Sequence, residues 1–123
     1  MDKSQQPTDT VEWLEAAAAR SRIEAGGILV IDVRVPSDYA GGRIPGSVNL
    51  PGRAIESRWW KIPADRALLF VDDDGTRVEA ACAFARSLGL GGIAALEGGF
   101  EAWLDADYPT ETISDGLPPL DDA

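Results

Sequence analysis

Two stretches of this chain, ILVIDVR over Ile28–Arg34 and ALLFVD over Ala67–Asp72, are almost unbroken apolar runs. A strand with one wet face alternates apolar and polar residues, whereas a run without alternation needs cover on both faces, as in the centre of a parallel sheet. A third run, GIAALEGG, repeats the pattern near Ile93. Between them lie helical segments. Asp9 and Glu12 have the spacing of a capping box, and the alanine-rich TVEWLEAAAARSRIEAGG places Val11, Leu14, Ala18 and Ile23 near one face before Gly26-Gly27. Pro36 opens a short helix over SDYAGG. Arg77 to Gly89 carries Val78, Ala81, Cys82, Ala85 and Leu88 at helical spacing, and FEAWLDADYP forms a last helix ended by Pro109. SVNLP is a short strand, and GRAIESRWWKIPADR reads as a helix followed by a loop at Pro63. Strands alternating with helices make an α/β layer fold with a mostly parallel sheet, and ligands of such sheets sit at the carboxyl ends of the strands.

The 123 residues fit one domain. Residues 1–8 read as a flexible terminus, 9–109 as the domain, and 110–123 as an acidic, flexible tail. The net charge of −10 repels phosphate backbones and anionic lipid headgroups, so neither nucleic acid nor a membrane surface is an expected partner. Cys82 is the single cysteine, and the chain has no histidine, which excludes Ser-His-Asp and Cys-His catalysis. No leader or membrane span is expected from the sequence, and a cytoplasmic location is expected. No metal site or cofactor is expected.

Chemistry is expected at the strand-to-helix junction VDDDGTRV, residues 71–78. One reading follows from D-x-D-G-T, which resembles the opening motif of haloacid dehalogenase-like phosphatases. That resemblance would make Asp72 a nucleophile and Asp74 a general acid-base, with magnesium held between them. The family also needs a later lysine and acidic pair. Here both lysines, Lys3 and Lys61, precede the loop, and Asp121-Asp122 is the sole later pair.

A second resemblance covers residues 9–109. ILVIDVRVPSDYAGGRIPGSVNLP matches the rhodanese-like pattern at Asp32, Arg34, Asp38, Tyr39, Gly42, Ile44, Pro45, Gly46 and Pro51, with Arg43 where histidine is usual. ARSLGLGGIAALEGGFEAWLDADYP resembles that family's closing segment through Leu88-Gly89, Gly98-Gly99 and Trp103. The resemblance implies a three-layer α/β/α fold around a mostly parallel five-stranded sheet, and sulfur transfer from thiosulfate or protein persulfides. The family's loop is Cys-x-x-Gly-x-Arg-Ser/Thr. Aligned on Gly75 and Arg77, it puts Asp72 at the cysteine and Val78 at the Ser/Thr.

A carboxylate cannot carry the persulfide that a thiolate forms. Loops of this kind aim backbone N–H groups at one point and favour negative charge there. Asp72 would fill that cradle from within, with Asp73 and Asp74 beside it and Arg77 opposing. At an effective dielectric near 20, unit charges 4 Å apart repel by about 4 kcal/mol, which disfavours an incoming thiosulfate or phosphate. The expected loop is therefore Asp72, Asp73, Asp74, Gly75, Thr76, Arg77 and Val78, with no intact catalytic residue. Cys82, ten residues on, reads as a buried hydrophobe. Asp32 and Arg34 are expected to brace the neighbouring loops. Trp59 and Trp60 are a candidate protein-partner surface, since adjacent helical residues point about 100° apart and cannot share one narrow buried face. The expected function is a catalytically inactive rhodanese-like binding or regulatory module. The alternatives are residual or altered sulfur transfer and magnesium-dependent phosphatase chemistry.

Overall fold

The computed structural model describes residues 11–112. The five strands are β1 (Glu12–Leu14), β2 (Ile28–Asp32), β3 (Val48–Asn49), β4 (Ala67–Val71) and β5 (Ile93–Leu96). They form one sheet in the order β1-β5-β4-β2-β3, and every pairing within it is parallel. The helices are α1 (Ala16–Glu24), α2 (Pro36–Gly41), α3 (Val78–Ser87) and α4 (Gly99–Asp105).

The apolar runs supply both layers because successive strand residues point to opposite faces. Ile31, Leu68, Phe70, Ile93 and Ala95 pack with Val78, Ala81, Cys82 and Ala85 of α3. Ile28, Val30, Leu69, Val71, Ala94 and Leu96 pack on the other face with Ala19 of α1 and with Phe100 and Trp103 of α4. These two cores make the three-layer α/β/α arrangement. A strand with only one buried face would have left half of these side chains in water, at roughly 1.5–3 kcal/mol for each large one.

The structure corrects several expectations. The first helix does not begin near Asp9: Glu12–Leu14 is the edge strand β1, with Trp13 in register with Ala95, and α1 begins at Ala16. Pairing to β5 outweighs the local helical preference. Glu12 is ion-paired to Arg22 at 3.3 Å instead of completing a capping box, and Asp9 lies outside the described residues. The buried helix position is Ala19, while Ala18 is exposed. Leu88 is 38% exposed because α3 ends at Ser87, one residue before it.

Residues 52–66 are not a helix. They hold two short 3-10 turns, Gly52–Ala54 and Trp59–Lys61, and anchor to the core through Ile55 and Ile62. Finally, the acidic tail does not begin as loose chain at residue 110. Glu111 pairs with Arg43 in an antiparallel bridge and accepts from its Nε at 3.1 Å. Residues 1–8 and the tail from 113 lie outside the described residues.

Candidate functional site

The loop 72–77 leaves the carboxyl end of β4 and turns directly into α3. Asp72 stands at the strand end and is buried, at 2% exposure. Its carboxylate points back into its own loop. The Gly75 N–H donates to Oδ1 at 2.6 Å, and the Arg77 N–H donates to Oδ2 at 2.7 Å. Hydrogen bonds to a charged acceptor are short and about twice as strong as neutral ones. Both Asp72 oxygens are thus engaged by amides within five residues, and the loop closes around them.

The other two aspartates do different work. Asp74 is fully exposed and accepts from Thr76 twice, from Oγ1 at 2.6 Å and from the backbone N–H at 3.1 Å. The Thr76 hydroxyl, then its amide, hold the Asp74 carboxyl below the usual carboxylate range. Asp73 accepts from Arg77 Nη2 at 2.9 Å, an exposed pair. Among the described residues, no group of three or more histidine, cysteine or acidic side chains is placed to hold a metal ion.

The loop is also held from outside, by a contact not foreseen in the sequence. Phe100 N–H donates to the Asp72 carbonyl at 2.8 Å, and Glu101 N–H donates to the Asp73 carbonyl at 3.0 Å. The start of α4 therefore lies against the loop, backbone to backbone. Gly99 permits this approach: at φ +64° a Cβ there would lie 2.6 Å from Asp73 C and Asp74 N. No side chain fits, and the backbone is in the left-handed region. Gly75, at φ +90°, faces Gly98 in the same contact. The Gly98-Gly99 pair was the sequence signal for this close approach, although its partner in the loop was not legible.

Asp32 and Arg34 form a second buried unit at the end of β2. Arg34 donates through Nε to Asp32 Oδ1 at 3.0 Å and through Nη2 to Oδ2 at 2.8 Å, and its own N–H also donates to Oδ1. Nη2 reaches the Gly42 carbonyl at 2.6 Å, tying down the end of α2. The guanidinium lies 4.3 Å from the centre of the Phe100 ring. Phe100 thus touches both units, its N–H on the Asp72 carbonyl and its ring under Arg34.

Asp72 and Asp73, with Arg34, Asp38, Arg53 and Arg77, line a cavity of about 370 Å³ at this end of the sheet. Three cations face three carboxylates, but Arg34 is already bonded to Asp32 and Arg77 to Asp73. That leaves Arg53 as the sole lining cation without a carboxylate partner among the described residues, set against Asp38 and Asp72.

Two remaining candidates lie apart from this cavity. Cys82 is fully buried on the core face of α3, and burial pushes its thiol up to about 12. It sits one helical turn past Val78, itself fully buried at the first position of α3. Trp59 and Trp60 do not line the loop cavity, and neither caps the core: they are 53% and 63% exposed. Among the described residues no helix is long and apolar enough to cross a membrane.

The family model for the rhodanese-like domain matches residues 15–106. A curated protein of Allochromatium vinosum named Sulfurtransferase is 37% identical over 82 residues, spanning 67% of this chain and 77% of that protein. A Pseudomonas entomophila protein named Thiosulfate sulfurtransferase GlpE is 31% identical over 90 residues, spanning 73% and 82%. Among solved structures, a rhodanese-related protein from Thermoplasma volcanium aligns with a TM-score of 0.75 and 30% identity, covering 81% of this chain and 97% of its own. The five-stranded parallel sheet with helices agrees with that match, and the chain belongs to the rhodanese-like domain family.

Proposed function

We propose that this rhodanese-like domain is catalytically silent in sulfur transfer and serves as a binding or regulatory module. One observation carries the reading: the Asp72 carboxylate occupies the loop cradle and accepts the Gly75 and Arg77 amides. In the family pattern Cys-x-x-Gly-x-Arg, Gly75 and Arg77 keep their places and Asp72 stands at the cysteine. The backbone donors that would stabilise a thiolate or a persulfide are engaged by a fixed carboxylate instead. A carboxylate oxygen is a hard, weak nucleophile toward soft sulfane sulfur and forms no persulfide, so it cannot take the sulfur over.

Two further features support the reading. The cavity mouth has no surplus of cations to draw in thiosulfate, and the whole chain carries −10. Cys82 cannot substitute, because it is buried and its thiol stays protonated at neutral pH. The phosphatase alternative fares no better. Asp72 has both oxygens engaged by its own loop, and Asp74 turns outward to Thr76. A reducing, cytoplasmic setting fits a chain whose single thiol is buried.

The decisive experiment is thiosulfate-to-cyanide sulfur transfer by the full chain, measured beside Asp72→Cys and Asp72→Cys with Val78→Ser. The wild type should give only the uncatalysed rate, and restoring the thiol should raise it. Turnover by the wild-type chain above background would overturn the proposal.

A further inference from the structure

The molecule carries a larger cavity than the loop's, on the far side of β2 from β4. It measures about 530 Å³ and is lined by Ile31, Val48, Leu50, Trp60, Lys61 and Arg66 among others, with no carboxylate in its wall. Its origin lies in the fold. On this face α3 covers β4 and β5, while β2 and the edge strand β3 are covered by the irregular segment 52–66. Two short 3-10 turns cover less sheet than a helix would, and an apolar groove stays open. Val48, in its wall, is 43% exposed, and Trp60 presents a large aromatic surface to water there.

The charge distribution singles out the same place. Of the described basic side chains, Arg20, Arg22, Arg34, Arg43 and Arg77 are each ion-paired to a carboxylate. Arg53, Arg58, Lys61 and Arg66 are not, and apart from Arg86 they are the described cations without a carboxylate partner. All four fall within residues 53–66, whose own acids are Glu56 and Asp65. Two of the four, Lys61 and Arg66, line this groove with no carboxylate beside them in its wall, while Arg53 lines the loop cavity. Lys61 Nζ stands 5.6 Å from the Trp60 ring centre, which holds a cation and an aromatic face together at the rim.

We infer that this groove is a docking site for an acidic peptide segment of a partner protein, with an apolar side chain seated between Val48, Leu50 and Trp60. The apolar floor supplies the anchor contact, exposed tryptophan and arginine are the residue types that dominate binding hot spots, and the cationic rim selects negative flanks. A nucleic acid is disfavoured at the same rim, because the remaining surface carries the excess of acid and repels an extended phosphate backbone. The site is separate from the loop 72–77, so the inference stands whether or not the loop transfers sulfur.

The test uses the full chain and three probes of equal length: a fluorescein-labelled peptide of alternating glutamate and leucine, its lysine–leucine counterpart, and a labelled oligothymidylate. Fluorescence polarisation should show saturable binding of the glutamate peptide alone. Amide and indole shifts in a nitrogen-15 correlation spectrum should cluster at Val48, Asn49, Trp60, Lys61 and Arg66, with residues 72–77 unmoved. Trp60→Ala should weaken binding about tenfold or more, the scale of a hot-spot truncation. Lys61→Glu with Arg66→Glu should abolish binding of the glutamate peptide. All three positions are exposed or on a rim, so folding is checked by circular dichroism and should be retained. No binding of the glutamate peptide, equal binding of the lysine peptide, tighter binding of the oligothymidylate, or unchanged affinity in both variants would each overturn the inference.

Discussion

Replacing Asp72 by alanine removes the acceptor around which the loop 72–77 is closed. Two hydrogen bonds to a charged acceptor are lost, from Gly75 N–H at 2.6 Å and from Arg77 N–H at 2.7 Å. Each is worth about 1.5–3 kcal/mol, so the gross loss is about 3–6 kcal/mol. Water from the adjoining cavity of about 370 Å³ can reach the freed amides and recovers part of this. The net expectation is a loss of about 2–4 kcal/mol at pH 7, a large share of the stability of a typical domain. Urea unfolding followed by the emission of buried Trp103 measures it, and for a domain of this size each kcal/mol lowers Tm by roughly 3–5 °C. Asp73→Ala is the control: it breaks an exposed pair with Arg77 and should cost at most about 1 kcal/mol. Because the vacated cradle retains its donors, sulfate should raise the midpoint of Asp72→Ala and leave the wild type unchanged. An Asp72→Ala protein within about 0.5 kcal/mol of wild type, or one indifferent to sulfate, would refute the view that the loop is filled by its own anion.

Three further outcomes are expected. Arg34→Ala leaves Asp32 as an uncompensated buried charge and should lose about 3–5 kcal/mol in the same urea assay, whereas Arg22→Ala, at an exposed pair, should lose under about 1 kcal/mol. Gly99→Ala forces a Cβ to 2.6 Å from the Asp73–Asp74 peptide at φ +64°, and should cost at least about 2 kcal/mol, with proteolytic cleavage shifting to the loop. Cys82 should resist a thiol-reactive disulfide reagent at pH 8 until the chain is unfolded. Its thiol rises from 9.0 to about 12 on folding, so the folded state keeps a proton that the unfolded chain releases above pH 9. Stability should therefore fall as pH rises from 9 toward 12, and Cys82→Ala should remove that slope.

Most of the layer architecture was legible because it rests on local patterning. The unbroken runs at Ile28–Asp32, Ala67–Val71 and Ile93–Leu96 demand two covered faces, and α3 shows its buried face at helical spacing. The loop could be placed at a strand end for the same reason. Its interior was less accessible. That three consecutive aspartates take three different partners depends on backbone torsions within six residues, which composition does not encode. The segment 52–66 misled the reading, because its apolar anchors Ile55 and Ile62 are seven apart, a spacing a helix also allows.

By itself the sequence determined the α/β pattern, the net charge, the absence of histidine and the presence of a carboxylate at residue 72. Those are properties of residue type and near-neighbour spacing. Tertiary structure decided that Glu12–Leu14 would be a strand, that the Phe100 amide and ring would join Asp72 to Arg34, that Arg43 would meet Glu111, and that the unpaired Lys61 and Arg66 would line one groove. Each depends on groups far apart along the chain, whose pairing is set by the packing of the sheet. Local preference is worth tenths of a kcal/mol per residue, and the burial of large apolar side chains that comes with a completed sheet outweighs it.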